Sequence, residues 1–93
     1  MDEYQKKLLD RFLRLPRDFT YQELKKLLNS FGYVEEMKGK TSGSRVMFFN
    51  KGIEHSIMIH KPHPGNTLKA YAMKYVLDEL KTIGFIENED ENS

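Results

Sequence analysis

Cysteine is absent from all 93 residues, which removes disulfides, thiol nucleophiles and cysteine-held zinc together. No apolar run is long enough to span a membrane, and the first residues, MDEYQKK, carry acids and lead into no apolar segment, so no secretory signal is legible. The expectation is a soluble, cytoplasmic protein with no membrane partner. No Gly-rich phosphate loop of the nucleotide-binding kinds is present. Ser56 is the only hydroxyl beside a histidine, His55, and it lacks the elbow motif of a serine nucleophile.

Acidic residues are missing from one region. The chain carries a net charge of +1, but residues 38–74 hold seven lysines and arginines (Lys38, Lys40, Arg45, Lys51, Lys61, Lys69 and Lys74) against Glu54 alone. Residues 75–93 reverse the sign, with Lys81 against six acids. A basic middle attracts a polyanion even in a nearly neutral molecule, and a solvated sheet-and-loop surface accounts for the same charges equally well.

With 31% charged and 39% hydrophobic residues, the composition is that of a globular domain. A single domain of this size buries roughly 60–65% of its unfolded surface, so a site should be shallow. Residues 2–15 place Tyr4, Leu8, Leu9, Phe12 and Leu13 at helical spacing and stop before Pro16. A second helix opens on Phe19-Thr20-Tyr21-Gln22-Glu23-Leu24, where Thr20 and Glu23 form a capping box and Phe19 can staple onto Leu24. Its stripe is Leu24, Leu27, Leu28 and Phe31, with Gly32 after the C-cap.

Residues 33–38 read as an edge strand, and residues 39–43 as a basic loop whose glycines let backbone approach a ligand. Residues 44–50 and 53–60 read as a hairpin in which Gly52 takes the positive φ. Ile53, Ile57 and Ile59 share the inner face of the second strand. In the first, Val46 and Phe48 inward and Arg45 outward is preferred, because burying an unpaired charge is costly. Asn66 or Thr67 can cap a last helix with the stripe Leu68, Tyr71, Ala72, Tyr75, Val76, Leu80 and Ile83, ended by Gly84. Phe85 and Ile86 fold back on the core, and the acidic residues 87–93 are expected to be disordered.

Two prolines and Lys61 interrupt His60-Lys61-Pro62-His63-Pro64, which favours exposed histidines over a metal site; no metal or cofactor is expected. His63-Pro64-Gly65-Asn66 precedes the last helix, where Lys61, Lys69 and free N–H groups suit a phosphate and His63 suits proton transfer. A turn that simply aims the helix is the competing reading. Arg45 has a planar fork for a phosphate, and Tyr33, Met47 and Phe49 offer either stacking surface or core.

Lys40-Thr41-Ser42-Gly43-Ser44, a strand, a turn, a second strand and then His63-Pro64-Gly65-Asn66-Thr67-Leu68-Lys69 opening a helix resembles the HicA toxin family, over roughly residues 19–83. The resemblance implies an α+β fold like the double-stranded-RNA-binding domain: helix, three-stranded antiparallel sheet, helix. Residues 1–17 would then be an N-terminal helical extension of a single domain covering residues 1–93. It also implies an mRNA interferase, neutralised by a HicB-type antitoxin. A histidine follows the Gly-Ser pair in that family, and here the position is Arg45, which stabilises a developing phosphate charge but is no general base. His63 matches the family's second histidine. The site expected from the resemblance is therefore His63 and Arg45 for catalysis, with Lys40, Ser44, Arg45, Lys61 and Lys69 on RNA. A non-catalytic RNA-binding or protein-interaction module of the same fold is the alternative.

Overall fold

Helix boundaries follow local capping chemistry. In the computed structural model, which describes residues 1–36 and 45–87, helix α1 runs Glu3–Leu13 and opens on Asp2, whose carboxylate accepts from the Gln5 N–H at 2.8 Å while the Gln5 side chain accepts from the Asp2 N–H at 3.0 Å. Helix α2, Tyr21–Ser30, opens on the expected box: the Glu23 N–H donates to Thr20 Oγ1 at 3.1 Å and the Thr20 N–H to Glu23 Oε1 at 2.9 Å. Gly32 follows the α2 C-cap with φ 99°, a conformation that favours glycine, and a Cβ there would lie a tight 3.0 Å from Asn50 Nδ2.

Three strands follow, β1 Val34–Glu36, β2 Arg45–Asn50 and β3 His55–His60, antiparallel in the order β1-β2-β3. Helix α3, Ala70–Ile83, then completes the α+β architecture, the arrangement of the double-stranded-RNA-binding fold preceded by one more helix. β1 is the expected edge strand, and β3 is the other edge. Residues 37–44, among them the expected basic loop 39–43 with Lys40, and Ser44 at the expected start of the next strand, lie outside the described residues, as do residues 88–93.

Sheet register sorts the side chains. Val46 and Phe48 pair with Ile59 and Ile57 and are buried with them, whereas Arg45, paired with His60, is exposed, as the cost of burying its charge requires. The hairpin departs from expectation. Its turn is residues 51–54, Glu54 rather than Gly52 takes positive φ (52°), and Ile53 is exposed in the turn instead of joining Ile57 and Ile59 inside. Asn50 explains the difference, since its Oδ1 accepts from the Gly52 N–H at 3.1 Å and its Nδ2 donates to the Phe31 carbonyl at 2.9 Å.

The core collects Leu8 and Phe12 from α1, Leu24, Leu27 and Leu28 from α2, the sheet's inner face, and Met73, Val76, Leu77 and Leu80 from α3. Fully burying one such side chain is worth about 1.5–3 kcal/mol. α1 is tied down further by Arg11, which bridges Asp18 at 2.9 Å and Glu23 at 2.7 Å and lies over the Phe19 ring. Gly84, φ 97°, caps the C-terminus of α3, and Ile86 folds back into the core.

Two expectations for α3 are corrected. Neither Asn66 nor Thr67 caps it; Lys69 is the N-cap, with no side-chain bond, because Thr67 forms a bridge with Thr20 and Asn66 accepts from the Tyr21 N–H at 2.7 Å. Met73 and Leu77 are buried, while Tyr71, Tyr75 and Ile83, expected inside, are exposed.

Candidate functional site at the end of strand β3

Backbone hydrogen bonds set the position of the segment between β3 and α3. The Tyr21 N–H donates to the Asn66 carbonyl and the Leu68 N–H to the Phe19 carbonyl at 2.9 Å, so the strap leaving β3 is fastened to the start of α2 just before α3 begins. Between the end of β3 and those anchors His63, Pro64 and Gly65 form an exposed tip, with a cis His63–Pro64 bond and Gly65 at φ 88°.

A cavity of about 130 Å³ lies inside this strap, and its lining includes His60, Lys61, His63, Lys69 and Tyr71. Two histidines and two lysines thus line one small space. Among the described residues no carboxylate lines it. Lys61 has its Nζ 5.2 Å from the centre of the Tyr21 ring, and the Tyr21 hydroxyl donates to Glu35, which also meets Lys25 Nζ at 3.1 Å. Burial pushes the Glu35 carboxyl up, but the bonds from Tyr21 and Lys25 and the charge of Lys61 outweigh it and hold it below the ordinary carboxylate range. Burial, and then the neighbouring Glu35, pushes the Tyr21 phenol well above its ordinary range.

Lys61, His63 and Lys69 therefore come together as the sequence leads one to expect. Arg45 does not line the cavity. It stands beside it, as the Cα partner of His60, with its guanidinium donating to Met58 Sδ at 3.2 Å. Lys40 and Ser44 fall outside the described residues. Tyr33 is fully buried and offers no stacking face, while Met47 and Phe49 are half-buried.

His60 is the cavity residue that sequence reasoning left out. Strand alternation put it on the outer face at the end of the second strand, but nothing local indicated that it shares a cavity with Lys69 and Tyr71 of the distant helix start. His55, also passed over, is a different case: its Nδ1 lies 2.6 Å from the Tyr33 hydroxyl and its Nε2 2.9 Å from Glu79 Oε1. With both ring nitrogens occupied, it clamps the sheet to α3. Burial and then the Glu79 charge push the Tyr33 phenol up to about 12, so it serves as a neutral partner.

Among the described residues no group of three or more histidine or acidic side chains is placed to hold a metal ion, and no helix is long and apolar enough to cross a membrane. Neither a curated protein nor a solved structure matches the chain. A family model does match: the HicA toxin of bacterial toxin-antitoxin systems aligns with residues 21–85, from the first turn of α2 to just past the end of α3. That span is well over half of the chain and contains the sheet, the strap and the cationic cavity, so this protein belongs to the HicA toxin family.

Proposed function

We propose that the chain is a toxin that binds mRNA, cleaves it as a metal-independent endoribonuclease, and is neutralised by a HicB-type antitoxin. The observation that carries this reading is one cavity lined by His60 and His63 together with Lys61 and Lys69. RNA brings its own nucleophile. One imidazole accepts the proton of a 2′-hydroxyl as its oxygen attacks the adjacent phosphorus, and the other donates a proton to the departing 5′-oxygen. The products are a 2′,3′-cyclic phosphate and a 5′-hydroxyl. Lys61, Lys69 and the neighbouring Arg45 neutralise the extra charge on the phosphorane. Lys40 and Ser44, in the segment joining β1 to β2, belong to the same proposal as further RNA contacts.

His60 supplies what the exchange at position 45 removes. Arg45 occupies the place where the family resemblance leads one to expect a histidine, and the residue opposite it across the ladder is itself a histidine.

Arg45 also favours a second reading, a module that binds RNA or a protein partner without cleaving. Induced expression with and without the antitoxin distinguishes the two. Growth arrest and shortened mRNA half-lives only when the antitoxin is absent support the nuclease; unchanged growth and message lifetimes leave the module.

A further inference from the structure

Alongside the cationic cavity runs a second hollow, larger and chemically different. It has a volume of about 290 Å³ and is lined by Met58, Ile59, His60, Tyr71, Ala72 and Tyr75, between β3 and the first turns of α3. His60, Tyr71 and Ala72 belong to both linings, so the two hollows share a wall. The groove is walled by side chains a soluble domain ordinarily covers: Tyr71 is 66% exposed, Tyr75 40% and Met58 40%. Tyr71 and Tyr75, four residues apart, are neighbours on one face of α3.

A nucleotide has this same division, an anion joined to a flat apolar plate. We infer that the groove is a base subsite: with a phosphate of single-stranded RNA in the cationic cavity, the adjoining base leaves the cavity past Tyr71 and stacks in the groove against Tyr71 and Tyr75. This rests on the proposed RNA reading and adds to it where the base goes and which form of RNA is taken. The charge on one side of the shared wall selects the occupant, because a purely apolar ligand would gain nothing from the lysines and a bare anion would leave the tyrosines uncovered. Stacking requires an unpaired base, since every base has a π-face but a duplex hides it. The subsite thus takes single strands, tolerates any base and excludes helical RNA. Arg45, bonded to the Met58 sulfur, borders the groove on the sheet side, where it can meet the next phosphate.

The test uses the full chain and a 2′-O-methyl octaribonucleotide, which lacks the nucleophile and cannot be cleaved, beside an octamer of the same backbone with abasic residues throughout. Base–aromatic stacking predicts that Tyr71→Ala combined with Tyr75→Ala weakens the base-bearing octamer about tenfold or more at fixed salt. The abasic octamer should bind wild type and variant alike, and Tyr71→Phe with Tyr75→Phe, which keeps both rings, should match wild type. Binding of the base-bearing octamer unchanged by loss of the two tyrosines overturns the base subsite and leaves the RNA reading intact. No salt-sensitive binding of either octamer to wild type overturns both. If the alanine variant binds the octamer normally but loses the co-encoded antitoxin, the groove is a protein-docking surface and the base subsite is wrong.

Discussion

Arg45 and His60 stand directly opposite one another in the β2–β3 ladder, side by side on the outer face of the sheet. One is a permanent cation and the other an imidazole, and the second borders the cavity that His63 also lines. Proton transfer in the proposed reaction rests on His60 and His63, and charge stabilisation on Arg45, Lys61 and Lys69.

Removing either imidazole should therefore cost more than removing the arginine. His60→Ala and His63→Ala are each expected to slow cleavage by about 10²–10⁴. Arg45→Ala should act mainly through weaker RNA binding. Both histidines are exposed, so the variants should remain folded. Single-turnover cleavage rates, read beside thermal melts, check the ranking.

Salt dependence isolates the phosphate contacts. For a single strand the logarithm of affinity falls with the logarithm of salt concentration by about 0.7 for each phosphate neutralised. Lys61→Ala, Lys69→Ala and Arg45→Ala should each flatten that slope by about one such step. A slope unchanged in all three would remove these side chains from the RNA contact.

Acid should loosen the fold through Glu23 and Glu35. Burial raises the Glu23 carboxyl, but the Thr20 N–H and Arg11 outweigh it, and Glu35 is lowered on balance in the same way by Tyr21 and Lys25. Both carboxyls are thus depressed in the folded chain, and the unfolded chain takes up the protons first. Their contribution is complete above the ordinary value of 4.5 and is lost as pH falls below it towards the folded values. Denaturant titrations between pH 3 and 7 should show stability falling below about pH 4.5, and less steeply in Glu23→Gln and Glu35→Gln.

α1 precedes the family-matched residues, yet it is built into the core. Phe12 is fully buried and meets Phe19 at 5.5 Å between ring centres. Phe12→Ala should cost about 3–5 kcal/mol by chemical denaturation. A loss below 1 kcal/mol would mean that the remaining elements hold without the helix.

What the sequence disclosed was what neighbours in the chain decide. Thr20 and Glu23 lie three apart and cap α2 as read, Gly84 ends α3, and alternation in β2 correctly turned Val46 and Phe48 in and Arg45 out. What it concealed depends on distant partners. Thr67 was a plausible cap until Thr20 claimed it, which moved the start of α3 to Ala70. Tyr71 and Tyr75 fit a three/four spacing as well as Met73 and Leu77 do, and only the placement of the β3 edge decides which pair is buried. The cavity lining divided in the same way: Lys61, His63 and Lys69 were legible as neighbours from the strap and helix start, whereas His60 joins them only through the packing of β3 beside α3, and the His55 clamp required residues 22 and 24 positions away.

The central claim, metal-independent RNA cleavage by two imidazoles beside lysines, is tested most directly by mass-spectrometric analysis of the ends produced when the full chain, freed of antitoxin, acts on a defined single-stranded RNA in the presence of a chelator. The account predicts 2′,3′-cyclic phosphate and 5′-hydroxyl ends that fall away together in His60→Ala and in His63→Ala. Intact RNA with the wild-type chain, 5′-phosphate ends, or undiminished cleavage in either histidine variant would contradict it.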